Sequence, residues 1–154
     1  MSKNVFISYD HGDVSQVNGF KLLNNNPDHV LDFRDHSLKD PVLDKSGKPI
    51  IYPPNDDRSK PVREEIISKF DNASKLVVLI GPSTFDSEWV DWEIKTFYNM
   101  KYDLSGDKTW QRIRGMRLKD RDNAKKPSAL GERSTEVMNW NPEKLDKWID
   151  KDPD

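Results

Sequence analysis

One unbroken apolar run in an otherwise charge-rich chain limits the fold more than any other feature. Within residues 75–80, KLVVLI, five apolar residues follow Lys75 without a break and are stopped by Gly81-Pro82-Ser83. A strand with one wet face alternates apolar and polar side chains. A run with no polar member is covered on both faces, as in the middle of a parallel sheet sandwiched by helices. The rest of the chain supplies matching parts. Residues 4–9, NVFISY, form a second apolar, β-branched run that opens onto the polar cluster Asp10-His11-Gly12-Asp13. Such a cluster marks a turn or a functional loop. Residues 14–24 carry Val14, Val17, Phe20, Leu22 and Leu23 at near-helical spacing, and residues 29–33 predict a short second strand.

Residues 34–60 are rich in Asp, Lys and Pro, with Ile50-Ile51-Tyr52 as the only apolar run. They predict one long loop containing a turn at Ser46-Gly47. Pro61 suits a helix first turn, Glu64 and Glu65 suit its positive end, and Ile66, Ile67 and Phe70 form its buried stripe. Residues 87–100 predict an amphipathic helix, 113–118 a fourth strand and 136–140 a weaker fifth. Asn141-Pro142-Glu143 then has the cap-and-proline pattern of a helix start leading to Leu145 and Trp148-Ile149. Strands alternating with helices predict an open parallel α/β sheet. The most apolar strands belong at its centre, which gives the order 2-1-3-4-5. Ligands bind such sheets beyond the carboxyl ends of the strands, where the order reverses between strands 1 and 3. Residues 8–13, the loop after Phe33 and residues 81–89 thus converge on one crevice.

At 154 residues the chain predicts one domain over residues 1–150, with a charged, fraying tail at 151–154. A net charge of −2 offers no general attraction to nucleic acid or anionic membrane. The absence of cysteine excludes disulfides, thiolate chemistry and Cys-based metal sites. The apolar start is too short for a signal peptide and no stretch approaches a membrane span, so a cytoplasmic protein is expected. His11, His29 and His36 lack ligand spacing, and no metal is expected. The basic residues of 112–126 are interleaved with apolar and acidic ones and read as a solvated strand edge and loop. Trp110, Trp140 and Trp148 read as core or sheet-covering residues.

Glu93 stands out. Stepping residues 87–100 at about 100° per residue puts Trp89, Val90, Ile94, Phe97, Tyr98 and Met100 on one arc, with Glu93 among them. A carboxylate under an apolar face is either paired, snorkelling to water, or open to a cleft. The loop after strand 1 has one glycine and two carboxylates, so it is no phosphate cradle. Strand 3 ends without the aspartate of a phosphoacceptor, and no GxSxG elbow occurs. What remains is an acidic, aromatic crevice with one shielded glutamate. That suits glycosidic cleavage through an oxocarbenium-like transition state. A leaving group that is already cationic, such as the nicotinamide of NAD+, needs no general acid. Asp10, Asp13, Asp35 and Asp91 are available as a second carboxylate, and each also reads as an ordinary loop or surface charge.

The segments FISYDHGD, FRDHSLKDP and GPSTFDSEWVDWE resemble TIR domains, and more closely the TIR-like branch that includes the signalling subunits of Thoeris antiphage defence. The family pattern S-x-W-C-x-x-E is matched by Ser87, Trp89 and Glu93, with Val90 in place of Cys. The resemblance is weak from Thr109 onward. It implies a flavodoxin-like, three-layer TIR-like fold and an NAD+ glycohydrolase or cyclase. Its product would be an ADP-ribose-derived signal for a separate effector protein. It implies Glu93 as the catalytic carboxylate, with Phe6, Ser8, Tyr9, Asp13, Asp35 and Ser37 lining the NAD+ pocket and Trp89 packing behind Glu93. NAD+ is then substrate, with no further cofactor, and assembly through TIR-like contacts is expected. A non-catalytic TIR-like module acting by homotypic association is the alternative. Another N-glycosidic enzyme, such as a nucleoside deoxyribosyltransferase, is a third reading.

Overall fold

The computed structural model describes residues 3–24, 26–29, 31–35, 37, 41–131 and 137–151. Within them lie β1 (Lys3–Ser8), β2 (Phe33–Asp35), β3 (Lys75–Ile80), β4 (Ile113–Arg117) and β5 (Val137–Met138). They form one sheet in the order β2-β1-β3-β4-β5, and every pairing is parallel. This is the flavodoxin-like order that the strand pattern predicts. The helices are α1 (Val14–Asn24), α2 (Lys60–Asn72), α3 (Glu88–Ser105), the single turn α4 (Ser128–Gly131) and α5 (Pro142–Asp150).

Strand parity sorts the core into two layers. Val5, Ile7, Val77 and Leu79 point to the side covered by α1 and α5, where Val17, Phe20, Leu145 and Ile149 meet them. Phe6, Leu76, Val78 and Ile80 point to the opposite side, where α2, α3 and α4 contribute Ile66, Phe70, Ile94, Phe97 and Leu130. All six residues of β3 are buried, Leu76 to Ile80 as the apolar run predicts and Lys75 in addition. Phe70 sits edge-on between Phe6 and Phe97, with ring centroids 4.7 and 5.3 Å away. Because successive side chains alternate, Ser8 shares the face of Phe6 and so lies beneath α3.

Two expectations change. The second strand is Phe33–Asp35 rather than 29–33. Asn26 and His29 divert the preceding backbone: Asn26 Oδ1 accepts from the Asp28 N–H, and His29 Nδ1 accepts from the Leu31 N–H, both at 3.0 Å. Side chains that bond their own backbone in this way compete with a ladder. Asn24 then brackets Phe33, accepting from its N–H and donating to its carbonyl, each at 2.9 Å. The fifth strand shrinks to Val137–Met138, and Glu136, its expected start, lies outside the described residues, as do Val30 and His36. The expected tail also lies outside them except for Lys151, whose carbonyl accepts from the buried Lys75 Nζ.

The long loop is otherwise as expected. Residues 41–56 contain one isolated antiparallel bridge, Leu43 to Pro49. Its turn is built by Asp44, whose Oδ1 accepts from the N–H groups of Ser46 and Lys48. Gly47 takes φ +83°, a conformation glycine adopts without steric cost.

Candidate functional site

Helix α3 begins as its sequence dictates. Ser87 caps it, accepting from the Val90 N–H at 3.3 Å. Glu88 and Asp91 occupy the positive first turn, and Asp91 pairs with Lys95 one turn on. That cap fixes the phase of the helix, which turns Val90, Glu93, Ile94 and Phe97 inward together. Glu93 is therefore carried under the apolar face by the same periodicity that buries its neighbours.

Glu93 is 8% exposed and lines an open crevice of about 440 Å³ beyond the carboxyl ends of the strands. Ser8, fully buried at the end of β1, donates its hydroxyl to Glu93 Oε1 at 2.7 Å. Among the described residues Glu93 makes no ion pair. Burial pushes its carboxyl up to about 8, with the Ser8 hydroxyl pulling the other way. No lysine or arginine lines the crevice among the described residues. Its floor and one wall are apolar, from Phe6, Ile7, Val62 and Ile66, and Pro41 and Ile50 form the facing wall. Tyr9, Asp10, His11, Ser37, Ser87 and Trp89 supply the polar and aromatic rim.

The residues expected at the site divide into three groups. Phe6, Tyr9, Ser37, Trp89 and Glu93 line the crevice together. Ser8 and Asp35 stand one step behind. Ser8 reaches the crevice through Glu93. Asp35 accepts from the Ser37 N–H at 2.9 Å and pairs with Lys21 at 3.2 Å. Burial pushes the Asp35 carboxyl up, but the Ser37 hydrogen bonds and the Lys21 charge outweigh it and hold it below its ordinary value. Ser37 in turn accepts from the Ile7 N–H at 2.7 Å, so a side chain replaces the ladder where β2 ends. Tyr9 is half-buried with Lys21 over its ring at 5.3 Å. Its phenol is pushed up by burial first, then by the negative charges of Asp35 and Glu93.

Asp13 forms the third group alone: it does not line the crevice. Its carboxylate is buried and accepts from Thr84 Oγ1 at 2.8 Å, while Thr84 Oγ1 also accepts from the Gly81 N–H at 2.8 Å. Asp13 thereby ties the turn after β1 to the loop leading into α3. A Cβ on Gly81 would lie 2.6 Å from Asp13 Cγ. Gly81→Ala is thus expected to cost about 1–3 kcal/mol in urea unfolding. Combined with Asp13→Ala, which removes the obstructing carboxylate, the cost should fall below the sum of the two single changes. Strict additivity would show that the clash is absent.

Of the four aspartates offered as a second carboxylate, only Asp10 reaches the crevice. It also accepts from the Gly12 N–H at 2.8 Å. Asp91 faces outward to Lys95 and Ser128. His11, Ser87 and the loop that holds Pro41 and Ile50 were brought to the crevice only as segments by the sequence reading, which did not place Val62 and Ile66 in its wall. Val62 and Ile66 were legible as an i, i+4 pair on one helix face, and Ile50 as an apolar residue in a polar loop. Trp89 donates from Nε1 to the Tyr52 carbonyl at 3.1 Å, which pins this loop against α3 and so completes the wall. Among the described residues no group of three His, Asp or Glu side chains could hold a metal, and no helix is long and apolar enough to cross a membrane.

The Ser8 contact makes a direct prediction. Ser8→Ala should raise the proton affinity of the Glu93 carboxyl about tenfold, the weight of one hydrogen bond to a charged acceptor. Carbon-detected NMR titration of the glutamate carboxyls reads it, and an unmoved Glu93 signal would deny the bond.

The family model for "Thoeris protein ThsB, TIR-like domain" matches residues 6–112, from β1 to the residue before β4. The match contains the whole β1–α3 crevice and leaves out β4, β5 and α5. No curated protein sequence matches the chain. With a parallel 2-1-3-4-5 sheet and a family match over more than half its length, the chain belongs to the TIR-like domain family of Thoeris protein ThsB and thereby to Thoeris antiphage defence.

Proposed function

We propose that this domain cleaves NAD+ at the bond between nicotinamide and ribose and releases an ADP-ribose-derived signal for a separate effector in the cytoplasm. The observation that carries the reading is Glu93: a buried carboxylate that has no counter-charge among the described residues and lines the crevice at the switch point of the sheet. Structural carboxylates in a core are normally paired, and perturbed ones gather at working sites.

The chemistry asks little of the protein. As the glycosidic bond lengthens, positive charge moves from the nicotinamide ring onto the ribose C1′ and ring oxygen. A carboxylate fixed beside that atom stabilises the charge as it develops, in a site that excludes much of the water. Nicotinamide leaves as a neutral molecule, so no acid is required to protonate it. The flat ring suits the apolar compartment of Phe6, Ile50, Val62 and Ile66, with Trp89 at its edge. Ser8 holds Glu93 Oε1, leaving Oε2 as the oxygen for the ribose. The electrophilic C1′ is then open to water or to a hydroxyl of the same ADP-ribose.

The test is to incubate concentrated protein with NAD+ and to follow nicotinamide and nucleotide products by chromatography and mass spectrometry. Nicotinamide release is expected, and the product mass distinguishes a linear from a cyclic product. No release from folded, concentrated protein across pH 7–9 would turn the reading to the non-catalytic module.

A further inference from the structure

We propose that a second groove, between α1 and the segment leading into α5, binds a neutral purine-type ring such as that of a nucleoside. It is separate from the Glu93 crevice and stands whether or not the domain cleaves NAD+.

The groove holds about 710 Å³, within the usual range of small-molecule sites. Leu118 follows β4 and Trp140 follows β5, so the groove lies beyond the carboxyl ends of the strands, on the side of the sheet covered by α1 and α5. Ligands of open α/β sheets gather at that end. Phe20 and Leu118 line the groove and are buried, and the half-buried Trp140 lines it with its ring edge-on to Phe20 at 6.0 Å. Gln16 ties α1 to the loop after β4, donating to the Lys119 carbonyl and accepting from Arg121 Nε, each at 3.0 Å. Leu118, Lys119 and Trp140 lie past residue 112, where the family match ends.

Gly19 singles this groove out. It sits in the interior of α1 and lines the groove. Glycine weakens a helix interior relative to alanine. Its φ is not positive, and a Cβ there would meet no atom within 4 Å. Neither backbone conformation nor packing within the domain therefore asks for glycine at this position. A flat ligand lying against the bare helix backbone does.

The polar groups around the groove set the chemistry of that ligand. His29 Nδ1 accepts from the Leu31 N–H at 3.0 Å, which assigns the proton of the neutral imidazole to Nε2. Nε2 is then a donor for a ring nitrogen, and Trp140 supplies an aromatic surface for stacking. Lys119 and Glu143 bring opposite charges, so the lining favours neither an anion nor a cation. The start of α5 gives a phosphate no seat. Pro142 lacks an N–H, Asn141 Oδ1 already takes the Lys144 N–H at 3.1 Å, and Glu143 adds negative charge. An uncharged heterocycle with ring-nitrogen acceptors meets these conditions, and a phosphate attached to it gains nothing.

The experiment is NMR titration of the whole chain with adenosine, AMP and ribose 5-phosphate, reading the indole N–H signals of its five tryptophans. The spectrum of Trp140→Phe assigns the Trp140 signal. Adenosine is expected to move that signal and to saturate at about millimolar concentration. AMP should match it within about threefold, and ribose 5-phosphate should leave the signal in place. Gly19→Leu puts a side chain into the groove on a helix that gains by losing glycine. Its urea midpoint should equal or exceed the parent's, while adenosine binds about tenfold or more weakly. Gly19→Gln, polar and also a good helix former, is the second obstruction with the same expected result. A Trp140 signal unmoved at about 10 mM adenosine, an equal response to ribose 5-phosphate, or binding that survives either folded variant would overturn the proposal. So would AMP binding about tenfold more tightly than adenosine, because the groove would then be reading the phosphate.

Discussion

Replacing Glu93 with Gln is expected to lower nicotinamide release from NAD+ by about a hundredfold to a thousandfold, while making the folded domain more stable at alkaline pH. On the proposed reaction, the loss follows from removing the carboxylate set against the developing oxocarbenium ion, a type of contact worth roughly 3–4 kcal/mol in the barrier. Gln keeps the shape and can still accept from Ser8. KM should therefore change less than kcat, since the missing attraction is strongest in the transition state.

The stability half has a definite pH window. Folding raises the Glu93 carboxyl from 4.5 to about 8. An acid that binds its proton more tightly when folded favours the native state at low pH. Its penalty begins as pH rises past the unfolded value near 4.5, grows through the window and is complete above about 8. The full span corresponds to roughly 3–5 kcal/mol. Urea midpoints measured from pH 5 to 9 should thus fall for the parent relative to Glu93→Gln, with the gap widest at the top. Parallel curves would mean that Glu93 titrates alike in both states, and the buried-carboxylate description would fail. Stability given up in this way at one residue is the usual mark of a site kept for work.

Lys75→Met should be the most damaging change remote from the crevice, at about 3–5 kcal/mol. Lys75 is the first residue of β3 and is 1% exposed. Its ammonium donates to the carbonyls of Trp148 and Lys151 and, at 3.0 Å, to that of Ile149. It also lies 4.5 Å from the centre of the Trp148 ring. The last carbonyls of a helix have no partner inside it, and a cation at that end also complements its dipole. One lysine therefore meets both needs of α5 and locks that helix to the centre of the sheet. Met fills similar space but leaves those carbonyls without their donor. A drop of roughly 10 °C in Tm is expected for a domain of this size. Amide exchange in α5 should accelerate more than in α3. A shift of less than about 1 kcal/mol would show that water or the neighbouring backbone serves the carbonyls equally well.

Much of the architecture was legible because it depends on periodicities local to the chain. The uniform apolar run of β3 could only be central, and helix starts at Ser87 and Asn141 carry their own caps: Asn141 Oδ1 accepts from the Lys144 N–H at 3.1 Å. Glu93 was legible for the same reason, since its angle on the helix is set by residues within two turns. The second strand was misplaced by several residues because its ladder competes with hydrogen bonds from Asn24, Asn26 and His29, which hydropathy does not register. Asp13 was placed in the pocket by its position in a family motif. The structure turns its carboxylate toward Thr84, a partner 71 residues away. Lys75 and Lys101 are both buried, which hydropathy does not foresee, with Lys101 Nζ donating to the Phe70 carbonyl at 2.7 Å.

Local pattern was thus enough to decide the α/β class, the strand order, the mouth of the crevice and the one carboxylate carried beneath an apolar face. Spacing along a strand or helix determines which way a side chain points, and burial follows from direction. What each buried polar group would face was decided only in three dimensions. Ser8 meets Glu93 across 85 residues, Trp89 meets the Tyr52 carbonyl across 37, and Lys75 meets Ile149 across 74. Hydrogen bonds are short and directional, and a buried charge is stabilised by atoms within a few ångströms rather than by its neighbours in sequence. That is why the sequence could point to Glu93, while its hydrogen-bond partner Ser8 became visible only once the sheet and helices had closed around it.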